Sequence, residues 1–193
     1  MKIYVRKIDE LQDRPEELLE DIRRGKINAC KRESKKHELI AAGHLLREAL
    51  NDYGYALPEG PLEFVYNCYG KPYLQGNPLY FSLSHSGDCV LCAVSEEEIG
   101  ADIEKIEPVS EGIARKILTE TETLEWESLP KTEDAEMLRT DWLIQKWTEK
   151  ESIAKLLGGG LHIRFQTLSA KDYDVVTEVR DGYRITVARN AGK

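Results

Sequence analysis

The sequence predicts an α+β protein made of two similar halves, each a long helix packed on a small, mainly antiparallel three-stranded sheet. Three observations carry this reading. A long helical pattern followed by strand-like runs occurs twice along the 193 residues. Both long helical runs stop at glycine, the first at Gly54 and the second at Gly158 to Gly160, the residue type that helix C-termini favour. The last two strand-like runs are joined by Asp181-Gly182, a strong hairpin signal. The length suits one compact domain or two small halves. The halves are expected at residues 1–98 and 99–193, with a functional site at their junction.

The elements follow in order. "KIYVRKI" alternates apolar and polar residues as a half-buried strand does, and "RPEELLEDIRR" reads as a short helix with Pro15 in its first turn. Residues 31–53 carry a helical pattern. "LEFVYN", "LYFSLSHS" and "CVLCAVS" read as strands separated by turns such as "YGKP" and "QGNP". "IGADIEKI" is a further strand, and Thr119 with Glu122 forms a capping box that opens a helix through Trp126. A long helix is expected from about Glu133 to Leu157. Strands are then expected around "IRFQTLS", "DVVTEV" and "YRITVAR".

Composition narrows the function classes. A hydrophobic share of 41% with 32% charged residues is that of a soluble globular protein. No run approaches the ~20 apolar residues of a membrane span, and "MKIYVRKIDE" has no signal-peptide core. A cytoplasmic setting is therefore expected, with Cys30, Cys68, Cys89 and Cys92 reduced. Cys89 and Cys92 form a C-x-x-C, but on an apolar strand positions three apart face opposite sides, so both read as core residues. The net charge of −8 argues against nucleic-acid binding. The local basic run "KRESKK" is either a patch for an acidic partner or a solvated helix face.

Several residues have chemical potential. Asp102 and Glu104, two apart on a strand, project from one face and repel unless a cation lies between them. Mg²⁺ fits such a pair; a solvated strand edge is the plain alternative. At 100° per residue, Glu151 shares a helical arc with Leu143, Ile144, Trp147 and Ala154, and a carboxylate in that stripe needs a partner. Lys150 and Lys155 flank it as candidate phosphate-neutralising cations. Ser84 and His85 in "SLSHSGD" lack a nucleophile elbow and read as binders of an anion or as structural residues. Gly70, Lys71 and Pro72 form a turn able to present Lys71 to a phosphate.

In this order, "YGKPYL", "FSLSHSGD", "IGADIEKI", "TETE" and "KWTEKESIAKLLGGGL" closely resemble the surfactin-type 4′-phosphopantetheinyl transferases, over most of Tyr69 to Leu161. The most specific parts are the G-x-D-x-E element at Gly100 to Glu104 and the W-x-x-K-E-x-x-x-K element at Trp147 to Lys155. The resemblance implies a pseudo-symmetric pair of α+β halves and a holo-[acyl-carrier-protein] synthase type reaction. In it, the phosphopantetheine arm of coenzyme A moves to a serine of an apo acyl or peptidyl carrier protein, releasing adenosine 3′,5′-bisphosphate. Asp102, Glu104 and Glu151 would bind Mg²⁺, or Mn²⁺, together with the coenzyme A pyrophosphate.

By the same resemblance Lys155 would neutralise the pyrophosphate, and Lys150 would sit near the phosphates or orient Glu151. Glu151 is the first candidate to accept the serine proton and Glu122 the second. Lys71, Pro72, Ser84 and His85 fall on coenzyme A contacts, His85 at the 3′-phosphate and protonated when ligand is bound. Lys31, Arg32 and Arg47 are candidates for the family's basic residues near the first long helix. Residues 107–119 would face the carrier, with Arg115 and Lys116 as its basic contacts. A monomer with no nucleic-acid or membrane partner is expected. The competing readings are a non-catalytic module that binds coenzyme A or a carrier, and another Mg²⁺-dependent phosphohydrolase.

Overall fold

The computed structural model describes residues 1–76, 79–110 and 112–192. Asn77 and Pro78 of the "QGNP" turn, and Glu111 in the segment expected to face the carrier, lie outside them. The chain forms two compact units, Met1–Ile99 and Gly100–Lys193. Both are α+β, and each contains a small three-stranded sheet and one long helix.

The first unit contains β1 (Lys2–Lys7), α1 (Asp21–Ala29), α2 (Glu33–Tyr53), β2 (Phe64–Tyr66), β3 (Pro72–Leu74), β4 (Tyr80–Ser86) and β5 (Cys89–Ser95). Its sheet has the order β1-β5-β4, with both pairings antiparallel. As the central strand β5 is buried along its whole length, which explains the unbroken apolar run "CVLCAVS". Cys89 and Cys92 are free and buried there, as expected of core cysteines. Helix α2 lays Ala41, Leu45, Leu46, Ala49 and Leu50 against Phe81, Val90, Cys92 and Val94. It ends where Gly54 takes φ 100°, a left-handed conformation open to glycine without a Cβ penalty. "RPEELLEDIRR" does not form one helix. A single 3₁₀ turn at Glu16–Leu18 is followed by extended backbone at the fully buried Leu19, and α1 begins only at Asp21.

The second unit contains β6 (Ile99–Lys105, whose first residue closes the first unit), α3 (Gly112–Ile117), α4 (Glu120–Ser128), α5 (Glu136–Leu157), β7 (Tyr173–Arg180) and β8 (Tyr183–Asn190). Its sheet has the order β6-β8-β7. Asp181 at φ 51° and Gly182 at φ 79° make the tight turn of the β7–β8 hairpin, the positive-φ pair a two-residue loop requires. Thr119 and Glu122 form both bonds of the capping box at the head of α4. Helix α5 ends at Gly158, φ 63°.

Two expectations about the strands change. The repeated order is strand, helices, hairpin, rather than helix then three strands: β1 joins the first sheet, while β2 and β3 form a separate two-stranded sheet. "IRFQTLS" is not a strand but irregular chain around a 3₁₀ turn at Phe165–Thr167. Its carbonyls at Phe165 and Leu168 accept hydrogen bonds from the Lys150 ammonium. A side chain from α5 does there what a neighbouring strand would have done.

Candidate active site

In the second unit, one glycine brings β6 against α5. A Cβ placed on Gly100 would lie 1.9 Å from the Ser152 carbonyl oxygen and 2.3 Å from the Leu156 amide nitrogen, so only glycine allows this approach. Two residues on, Asp102 is 2% exposed and its Oδ1 is 2.6 Å from Lys155 Nζ. Glu104 lies a further two residues along the same strand face. Its Oε1 accepts a hydrogen bond from the Trp147 indole N–H at 3.1 Å.

Trp147, Glu151 and Lys155 recur at four-residue spacing, so they line one face of α5. Glu151 is half-buried. Burial pushes its carboxyl above the usual carboxylate range, the Asp102 charge adds to this, and Lys155 pulls the other way. Asp102, Glu104, Glu151 and Lys155 are therefore gathered along the β6–α5 contact. Among the described residues, no three His, Cys, Asp or Glu side chains are already grouped so as to hold a metal ion. In this state Lys155 lies on Asp102 and Trp147 on Glu104.

The stripe predicted on α5 is present, with Leu143, Ile144 and Ala154 buried, but burial extends around the helix. Thr148 is fully buried and shares a hydrogen bond with Thr186, which donates to Thr177. Arg184 grips Asp141 through two nitrogens. These contacts tie α5 to β8 and β7, so the face carrying Glu151 is held by a rigid support.

Lys150 requires a correction. It is 1% exposed, its ammonium is 2.8 Å from Glu122 Oε2, and it donates to the Phe165 and Leu168 carbonyls. A side chain so enclosed cannot contact phosphates in solution. The same Glu122 oxygen accepts the Thr119 N–H at 2.8 Å, so this carboxylate serves as helix cap and as counter-ion to Lys150. Glu122 thus has a stabilising task in the second unit.

In the first unit, His85 on β4 meets α2. Lys35 Nζ is 2.9 Å from His85 Nε2, and Glu38 Oε2 is 2.7 Å from Lys35 Nζ and 3.4 Å from His85 Nδ1. Ser84, the neighbouring residue, is buried on the other face of β4. Pro72 opens β3 opposite Tyr66. Lys71 follows the turn as expected, but its ammonium is 2.5 Å from Glu98 and 3.5 Å from the Ile99 carbonyl. Tyr73 donates to the same Glu98 carboxylate at 3.0 Å, and burial together with Glu98 pushes the Tyr73 hydroxyl up to about 12.

Lys31 is exposed just ahead of α2. Arg47 is a second correction: it donates to the carbonyls of Pro58 and Gly60. At ~1.5 Å per residue it also lies ~18 Å along α2 from Lys35, too far to share an anion with His85.

Residues 98–190 match the model of the 4′-phosphopantetheinyl transferase superfamily. A 4′-phosphopantetheinyl transferase of Bacillus subtilis is 32% identical over 192 residues, covering 95% of this chain and 83% of the relative. The chain belongs to the 4′-phosphopantetheinyl transferase superfamily. The 4′-phosphopantetheinyl transferase Sfp of Bacillus subtilis strain 168 is 31% identical with the same coverage. The 4′-phosphopantetheinyl transferase AcpT of Salmonella typhi is 40% identical over 101 residues, half of each chain.

For this member of the superfamily, sequence reasoning missed Lys35, Glu38 and Glu98. Lys35 and Glu38 carry a signal, since residues three apart on a helix are neighbours and Lys35 lies within the basic run at the head of α2. Glu98 carries none, because its partner Lys71 is 27 residues away.

Proposed function

We propose that the chain transfers the 4′-phosphopantetheine group of coenzyme A to a serine of an apo carrier protein, releasing adenosine 3′,5′-bisphosphate. The observation that carries this reading is the glycine-enforced contact of β6 with α5, which sets Asp102 and Lys155 beside Glu151. Membership of the superfamily supports it. The acceptor is an acyl or peptidyl carrier protein, in a holo-[acyl-carrier-protein] synthase type of reaction.

A divalent cation suits these residues. Burial and the Asp102 charge both disfavour ionised Glu151, and a hard cation with oxygen ligands relieves such repulsion. Asp102, Glu104 and Glu151 would hold Mg²⁺ or Mn²⁺. When bound, the cation would supply positive charge to the donor pyrophosphate.

The chain's own groups do the rest. Lys155 leaves Asp102 to neutralise the pyrophosphate as the bond to phosphorus breaks. Glu151 accepts the serine proton directly or through a water. His85 and Lys35 take the 3′-phosphate, with Lys31 exposed nearby in sequence; Lys71 exchanges Glu98 for a donor phosphate. Arg115 and Lys116, exposed on α3, meet the acidic carrier. The reading sets the reaction in the cytoplasm, with a single chain as the working unit. The four cysteines, free among the described residues, suit a reducing compartment. No described helix is long and apolar enough to cross a membrane.

The test is intact-mass spectrometry of an apo carrier incubated with the protein, coenzyme A and Mg²⁺. A mass gain of one phosphopantetheine that EDTA prevents is expected. Binding of coenzyme A without mass gain would favour a non-catalytic module, and phosphate release from coenzyme A a hydrolase.

A further inference from the structure

The His85 cluster contains its own competitor for an anion. Lys35 carries only donors, so in its 2.9 Å contact with His85 the ring Nε2 accepts, which leaves the ring proton on Nδ1. Nδ1 faces Glu38 Oε2 at 3.4 Å, and the same oxygen takes the Lys35 ammonium at 2.7 Å. One carboxylate thus faces both groups that a phosphate would use, the Lys35 ammonium and the His85 ring N–H. Its side chain is 20% exposed, against 37% for Lys35 and 41% for His85. The acid is the inner member of the cluster, and the two donors are the outer ones. An arriving phosphate draws Lys35 and His85 from Glu38 and then lies beside that carboxylate. Both effects oppose binding, and they act only on a ligand that carries a phosphate at this position.

We propose that Glu38 is a specificity-determining residue, one that weakens the preference for donors carrying the 3′-phosphate. This rests on the reading above, in which coenzyme A is the donor and His85 meets its 3′-phosphate. With 3′-dephospho-coenzyme A, Lys35 and His85 keep Glu38 as their partner, so no cation is left bare and little is lost. The wild-type chain therefore discriminates less between the two donors than a site with the same cations and no acid. Neutralising Glu38 removes the competitor and restores the full advantage of the phosphate.

The experiment measures kcat/KM for coenzyme A and for 3′-dephospho-coenzyme A with an apo carrier, in the wild type and in Glu38→Gln, which keeps the shape and removes the charge. The ratio of the two values should rise about fivefold in Glu38→Gln, the equivalent of one half-exposed ion pair. The gain should come from a lower KM for coenzyme A, with 3′-dephospho-coenzyme A changed less than about twofold. In a Lys35→Met background the same substitution should raise the ratio clearly less than in the wild type, since one of the two groups it releases is gone while His85 remains; a merely structural effect of Glu38 would persist there at full size. A wild type that transfers from coenzyme A, with a ratio unmoved by Glu38→Gln, overturns the inference and leaves the transferase reading standing. A wild type that transfers from neither donor overturns both.

Discussion

At the scale of single residues, Glu151 shows a conflict between stability and use. Its carboxyl is pushed above its ordinary value by burial and by Asp102. The folded state therefore binds the proton more tightly than the unfolded chain, and stability falls as pH rises from the ordinary glutamate range through the raised one. Glu151→Gln removes this penalty. In metal-free buffer the variant should melt at a higher temperature than the wild type near neutrality, and the gap should close as pH is lowered toward 4; thermal melts across pH check this, and a gap independent of pH would place Glu151 in contact with water. The same variant should lose at least about 10²-fold in transfer, the usual scale for removing a general base. Lys155→Ala should lower kcat/KM for coenzyme A by about tenfold or more through lost phosphate neutralisation. Unchanged kinetics would confine Lys155 to its ion pair with Asp102.

At the scale of elements, the contact of β6 with α5 depends on one missing side chain. Gly100→Ala must force apart a strand and a helix whose backbones already touch. It should cost about 3 kcal/mol in urea unfolding, the upper range for overpacking, with transfer reduced even where the variant is fully folded. A loss below about 1 kcal/mol would mean the two elements separate easily. Lys150→Met should cost about 3–5 kcal/mol by leaving Glu122 without its buried counter-ion. The double variant with Glu122→Gln should cost less than the sum of the two single changes. This is also the scale at which the sequence was most and least legible. Helix ends at Gly54 and Gly158, the Thr119 capping box and the Asp181-Gly182 turn depend on a few adjacent residues, so local pattern revealed them. The segment 163–169 reads as a strand by propensity, yet Lys150 satisfies its carbonyls from α5, and no local pattern reports such a long-range partner. The same reason hid Lys150 itself. The motif put Glu151 and Lys155 on the helix face that lies beside Asp102, but Lys150, adjacent in sequence, turns inward to Glu122.

At the scale of the whole molecule, charge decides how a carrier arrives. The net charge of −8 repels an acidic protein at a distance, while Arg115 and Lys116 stand exposed together on α3. The Debye length is about 10 Å at 0.1 M salt, so moderate ionic strength screens the diffuse repulsion more than a close contact. On the proposed reading, productive encounter then depends on the local basic pair. Replacing both by glutamate, Arg115→Glu with Lys116→Glu, should raise the KM for the carrier roughly tenfold through slower association and a mismatched rim. The KM for coenzyme A should not change, because nothing on α3 is assigned to the donor. The difference between variant and wild type should shrink as salt rises from about 0.05 M to about 0.5 M, where the Debye length falls toward a few ångströms. Steady-state kinetics at varied carrier and salt concentration measure all three. A defect of the same size at every ionic strength would mean that the substitutions disturb α3 packing around Ala114 and Ile117 rather than electrostatic approach. A defect in the coenzyme A KM would instead put this surface on the donor's path.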